Sequence, residues 1–374
     1  MDFIIHGRIF SLKNIDKSVD EWFVKFYKAY FLENIVVLDE FEKIIHKYFD
    51  KIEEQKNREQ LHDDLFNSFI TIWNVILSQR NYGLGEWIWE KCVDFSHHWE
   101  EMHEGRYIHK GTPFYFWGMT AILRGDMDKG YALMHKALQE DVRRHGSVNP
   151  QTPSFAFVIA DYKEKNQAFI DWPLIQAKYI EDRINLFNQF YQKNFSLNLF
   201  WEKITRSNLE KSIIYQFVLY ITKFYDITRK PEYIYKGDFA GQLLLDLLLN
   251  LARVVDSIIH QKNPSEQNLF NHILFVNNAI DLNLNQLKME YINQKYKSIP
   301  NGFENTITSI IDNSFRFCDN SPLSDLAKPF AITYGIRNYA AHHIVSSPTI
   351  WENYEEIEKN MFFSLFICID TLYK

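Results

Sequence analysis

The amino-acid sequence predicts an all-α protein, with an N-terminal degenerate helical-repeat domain followed by a C-terminal helical bundle. Three observations carry that expectation. Of 374 residues, 46% are hydrophobic and 16% aromatic, including 31 Phe, 21 Tyr and 9 Trp, which is apolar material for two cores. Glycine (13) and proline (10) are scarce, leaving too few tight turns for a many-stranded fold. Apolar residues also recur at helical spacing through most of the chain.

The elements follow in order. Residues 21–56 place Trp22, Phe23, Phe26 and Tyr30, then Ile35, Leu38, Phe41, Ile45 and Tyr48, at helical intervals. A second helical stretch covers 61–77. Tyr82-Gly83-Leu84-Gly85 reads as a break before an aromatic helix over 86–99. Within 111–144, Phe114, Trp117, Gly118, Ala121, Gly130, Met134 and Ala137 stand at the spacings of a tetratricopeptide (TPR) repeat, with Gly125-Asp126 at its turn. The segment resembles one such unit, although Ala121 replaces the usual tyrosine and Val142 the closing proline. Residues 1–205 therefore read as a TPR-like helical-repeat domain, against the plainer alternative of an irregular helical bundle. Such repeats are expected to hold a regulatory protein or antitoxin partner, or RNA, in their groove. Breaks are expected at 146–153, 171–173 and 228–238, and the domain boundary is placed at 205/206.

In the C-terminal part, residues 242–262 form a long apolar helix ended by Asn263-Pro264. Asp246, Asn250, Arg253, Ser257 and His260 fall on one narrow stripe of it, with Asp256 at the edge. That stripe faces either solvent or a shared polar cleft. Helical stretches over 269–292 and 304–317 follow. Another helix begins near Pro329, a residue favoured in a first turn, and Ser346-Ser347-Pro348 closes it. The last helix covers 352–372, with Ile357, Met361, Leu365 and Ile369 on its buried side.

Charge and cysteine usage narrow the function classes. A formal net charge of -7 disfavours a nucleic-acid coat protein, which needs a broad basic surface. It leaves room for an enzyme acting on RNA at one small cleft. Cys92, Cys318 and Cys368 are few and widely spaced, so each is expected to be a buried apolar residue and not part of a disulfide framework. Residues 1–10 already contain Asp2, His6 and Arg8, which is not a signal peptide. The most apolar run, 243–259, is interrupted by Asp246, Asn250, Arg253 and Asp256, so no membrane span and a cytoplasmic location are expected. The cluster His97-His98-Trp99-Glu100-Glu101-Met102-His103-Glu104 lacks a His-Glu-x-x-His pattern and reads as a solvated helix end. Neither a metal site nor a cofactor is expected.

The sequence Arg337-Asn338-Tyr339-Ala340-Ala341-His342 carries the most specific signal. It resembles the motif of HEPN-superfamily ribonucleases: Arg followed by Asn, small residues, then His, on a late helix of a C-terminal helical domain. Arg253 and His260, with six residues between them, fit a looser form of the same pattern. The resemblance covers about 210–374, taken as a HEPN-like domain over 206–374. It implies a homodimeric, metal-independent endoribonuclease with Arg337, Asn338 and His342 catalytic, leaving 2′,3′-cyclic phosphate and 5′-hydroxyl ends in a toxin-like or antiviral setting. It also implies support from Asp256, for which role Arg253 is a competitor. His343, beside the motif, either substitutes for or assists His342 or merely faces solvent. One branch of the family carries a tyrosine two residues after the His; Ile344 stands there in this chain. The opposing expectation is a non-catalytic interaction protein, whose HEPN-like bundle dimerises or binds RNA without cutting it.

The chemistry accounts for these residue types. When the 2′-hydroxyl of RNA is the nucleophile, the protein supplies a proton-transfer group and fixed positive charge for the phosphorane. Imidazole and guanidinium suit those tasks. Asn338 and His342 are four apart and share a helical face, so the amide is expected to hold the imidazole. Arg337 and His342 are five apart, about 140° around a regular helix. They converge on one phosphate only if the helix distorts, Arg337 reaches round, or the two come from different subunits. The resemblance implies the last, a dimer with two motifs facing one cleft, and Ala340 and Ala341 would permit the close approach.

Overall fold

The structure is a computed structural model. It describes residues 2–5, 8–11, 66, 69–70, 73–74, 76–77, 80–102, 107–147, 149, 152–159, 171–206, 211–228, 238–343 and 347–373. The described residues are overwhelmingly helical, as expected. The helix expected over 21–56 lies outside them. Contacts divide the chain into two compact units, Met1–Phe157 and Val158–Lys374.

The first unit opens with a hairpin that the helical reading had not anticipated. Strands β1 (Asp2–Ile5) and β2 (Arg8–Ser11) pair antiparallel, with Phe3 opposite Phe10 and Ile4 opposite Ile9. Further along the described residues come α1 (Tyr82–Met102), α2 (Gly111–Arg124) and α3 (Met127–His145). Helix α1 starts four residues before the expected Glu86, because the Asn81 side chain accepts from Leu84 N and caps the new turn. Helices α2 and α3 form a tight hairpin. Gly125 closes α2 at φ 96°, Asp126 accepts from Lys129 N to start α3, and a Cβ on Gly118 would press on the Gly130 carbonyl opposite. Small residues at Gly118 and Gly130 thus bring the two backbones together. Trp73 donates to Thr120 at 2.7 Å and, with Trp89, packs on Phe116. A short helix, α4 (Pro153–Ile159), begins in this unit and is tied to α3 by Ser154 donating to Asp141.

The second unit contains α5 (Asp171–Tyr191), α6 (Leu197–Arg206), α7 (Lys211–Thr228), α8 (Asp238–Lys262), α9 (Leu269–Ile280), α10 (Gln286–Tyr296), α11 (Gly302–Ile311), α12 (Lys328–His342), α13 (Pro348–Glu352) and α14 (Tyr354–Leu372). Its centre is a mutual packing of α8, α12 and α14, with α7 against α8 and α11 against α12. The boundary expected at 205/206 falls inside this unit. Helices α5 and α6 both pack on α14, where Arg183 Nε donates to Glu358 at 2.8 Å and Lys203 Nζ to Asp370 at 2.9 Å. The single helix expected over 269–292 is two, because Asp281 and Asn283 take left-handed φ values of 48° and 56° and Asn285 caps α10. The stretch expected to stay helical to Phe317 ends at Ile311. Beyond it Phe315 and Phe317 turn inward and Cys318 turns out. Cys92 and Cys368 are buried as expected, but Cys318 is exposed. No helix among the described residues is long and apolar enough to cross a membrane.

Candidate functional site

Helix α12 carries the Arg337–His342 motif, and its position follows from its composition. Every residue from Pro329 to Ile336 is apolar or small enough to be buried between α8 and α14. From Arg337 onward exposure rises, and Ala341, His342 and His343 are exposed. The helix thus leaves the core as it enters the motif.

A groove of 470 Å³ lies along this emerging end, and Asn338, Tyr339, His342 and His343 line it together with Asn293, Tyr296, Lys297 and Glu304. Gly335 makes one wall possible: a Cβ there would overlap the Tyr296 ring. With that room, Tyr296 crosses α12 and donates its hydroxyl to the Ala331 carbonyl at 3.0 Å. Burial pushes the Tyr296 phenol far up. Beside Tyr296, whose ring centroid is 6.0 Å from that of Phe303, a column of rings continues the wall, with Phe303 stacked on Tyr339 and Tyr339 on His343.

Arg337 is half-buried and is not among the groove-lining residues. The helix is regular from Lys328 to His342, so the two side chains keep their separation of about 140°. Asn338 and His342 do share the groove, as their spacing of four requires. The Asn338 amide, expected to hold the imidazole, is instead engaged elsewhere. Its Oδ1 accepts from Arg337 Nη1 at 3.4 Å, and the amide also bonds the Tyr334 hydroxyl. That hydroxyl donates to Asn293 Oδ1 at 3.0 Å. Burial raises the Tyr334 phenol, while the Asn338 bond and the Arg337 charge pull it back. Asn338 therefore touches the guanidinium within one chain.

Compared with known protein families, with characterised proteins and with solved structures, the chain matches none.

The remaining candidates separate into two further places. Arg253 and His260 line a different groove, of 580 Å³, with Asn250, Ser257 and Gln216. The polar stripe of α8 thus faces a cleft beside α7, and not solvent alone. Asp256 belongs to neither groove's lining. Its carboxylate meets His272 Nδ1 at 2.5 Å, and His272 Nε2 lies 3.2 Å from the Glu266 carbonyl. The same carbonyl is 2.9 Å from His260 Nδ1. The acid expected to support the motif is thus held in a histidine network between α8 and α9. His272 was not visible as its partner, because sixteen residues and a loop separate the two. In the first unit, Glu100 receives Lys110 Nζ at 2.6 Å and Ile108 N at 2.8 Å. Among the described residues, no three His, Cys, Asp or Glu side chains are grouped to hold a metal.

Proposed function

We propose that this chain is a HEPN-type endoribonuclease that cleaves single-stranded RNA through its own 2′-hydroxyl. One observation supports this reading above others: the Arg-Asn-Tyr-Ala-Ala-His segment surfaces at the end of a core helix, with His342 exposed in an open groove. In the reaction the 2′ oxygen attacks phosphorus and passes its proton to the His342 imidazole. The bond from phosphorus to the 5′ oxygen breaks, leaving a 2′,3′-cyclic phosphate, and solvent protonates the departing oxygen. The Arg337 guanidinium meets the charge that builds on the phosphorane oxygens. Asn338 keeps that guanidinium aimed. A single-stranded substrate follows because in-line attack needs a backbone free to leave A-form geometry. The chemistry asks for no metal, and the N-terminal repeats are assigned to a regulatory partner.

The test is cleavage of a labelled single-stranded RNA in EDTA, with analysis of the product ends. His342→Ala and Arg337→Ala are each expected to lower the rate by about 10²–10⁴-fold, and Arg337→Lys to recover only part of it because the fork is lost. Single-stranded DNA is expected to remain intact. Abolition of cleavage by EDTA, or undiminished cleavage by purified His342→Ala protein, would overturn the mechanism. If Arg253→Ala and His260→Ala abolish cleavage while Arg337→Ala does not, the active pair is the one on α8. Binding without cleavage would favour the non-catalytic reading.

A further inference from the structure

The groove beside His342 contains a feature that proton transfer does not require. Three aromatic rings run nearly parallel along its wall. Phe303 and Tyr339 have centroids 4.0 Å apart at 26°, and Tyr339 and His343 are 4.5 Å apart at 14°. Phe303 comes from α11, Tyr339 from α12 and His343 from the residue that ends α12. His343 leaves the helix with φ -123° and ψ 129° while its N–H still reaches the Tyr339 carbonyl at 2.9 Å. The backbone thus turns outward as the ring lies back over Tyr339. An aromatic column inside a core ends against other apolar groups, whereas this one ends on an exposed imidazole. Asn338, Asn293, Lys297 and Glu304 line the same groove. A flat ring with polar edges would find there both a face to stack on and groups to bond.

We propose that His343 and Tyr339 form a base-stacking subsite, in which the unpaired nucleobase beside the cleaved phosphate continues the column outward from His343. The proposal rests on the ribonuclease reading above and deepens it. A base within a duplex has both faces covered by its neighbours, so the subsite admits single-stranded RNA and rejects duplex. Purines, with the larger face, bind better than pyrimidines. His343 is then a positioning and specificity residue, not a second proton-transfer group. Its neighbour in sequence, His342, keeps the proton chemistry.

The experiment uses the full-length protein and a single-stranded 2′-O-methyl RNA containing one 2-aminopurine, whose fluorescence falls when it stacks. The blocked 2′ position prevents cleavage, so binding is read independently of activity. The wild-type protein is expected to quench the probe, and a duplex of the same sequence to give no quenching. His343→Ala is expected to weaken binding by about 5- to 150-fold, the range for losing one stacked base. His343→Phe restores the face without the ring nitrogens and is expected to recover most of the binding. With ordinary RNA, His343→Ala should act mainly on KM, and His343→Phe should bring KM back. Unchanged binding by His343→Ala overturns the subsite, and so does a Phe variant as defective as the Ala variant. Cleavage of ordinary RNA without quenching of the blocked probe rejects the subsite while the ribonuclease reading stands. Quenching with no cleavage of ordinary RNA keeps the subsite and rejects the ribonuclease reading.

Discussion

At the scale of single residues, Gly335 shapes the surroundings of the candidate site and Glu86 holds together a charged cluster in the first unit. Gly335 lies two residues before Arg337 and is the gap through which Tyr296 reaches the Ala331 carbonyl. Gly335→Ala is expected to displace that ring, destabilise the protein by about 1–3 kcal/mol as overpacking does, and reshape the groove. Chemical denaturation measures the first effect and 2-aminopurine quenching the second; a variant as stable as wild type would show that Tyr296 yields without cost. Glu86, in the first unit, is 5% exposed and accepts from Trp117, Arg124 and Lys129. Burial pushes its carboxyl up, but the three donors outweigh burial and hold it below its ordinary 4.5. A carboxyl whose folded pKa is depressed contributes stability above its unfolded pKa and loses it as pH falls through the folded value. Stability is therefore expected to fall on acidification below roughly pH 5, and Glu86→Gln to flatten that part of the profile. Thermal melts across pH 3–7 provide the measurement, and an unchanged slope in the variant would rule Glu86 out as its source.

At the scale of elements, α14 shows how burial couples distant parts of the second unit. Its Glu358 is fully buried and accepts from Arg183 Nε at 2.8 Å, from Tyr220 at 3.1 Å and from Tyr179. Removing the acid alone leaves a largely buried guanidinium and two phenols without their acceptor. Glu358→Ala is expected to cost about 3–5 kcal/mol, and the double variant Arg183→Met, Glu358→Leu to recover most of it. Urea unfolding of the two proteins decides this, since equal losses would mean that the cavity and not the unpaired charge sets the cost. The same elements show what local pattern can and cannot reveal. Helix α12 was legible because Pro329 marks its start and an apolar run precedes its motif, and α14 because Ile357, Met361, Leu365 and Ile369 recur every four residues, although the structure buries every residue from Asn360 to Ile369. The split between α9 and α10 was not legible. The apolar run continues across it, and the break rests on left-handed Asp281 and Asn283 with Asn285 as the cap. The N-terminal hairpin was passed over because its two strands are only four residues each. The groove was half legible: Asn338 and His342 follow from spacing, whereas Tyr296 and Phe303 reach it from α10 and α11 by tertiary packing that no local period records.

At the scale of the whole molecule, the geometry of α12 bears on how many copies make one site. Because the helix is regular through His342, Arg337 and His342 point about 140° apart, and only the histidine lines the 470 Å³ groove. On the proposed reading, a second copy placed with its Arg337 toward this groove would supply the missing charge, and the exposed, small Ala341 beside His342 would let the backbones approach. The expected assembly is a homodimer with two composite sites, each taking its arginine from one chain and its imidazole from the other. Light scattering at micromolar concentration should then give the dimer mass. A complementation experiment asks the sharper question. Arg337→Ala and His342→Ala proteins, each inactive alone, are mixed, dissociated and reassembled. Random pairing makes half of the dimers mixed, and each mixed dimer holds one site with both groups intact, so about a quarter of wild-type activity should return. If both groups act within one chain, no pairing restores a complete site and the mixture stays inactive. A fully active monomer would remove the need for a second copy, and Arg337 would then have to reach round its own helix to the phosphate.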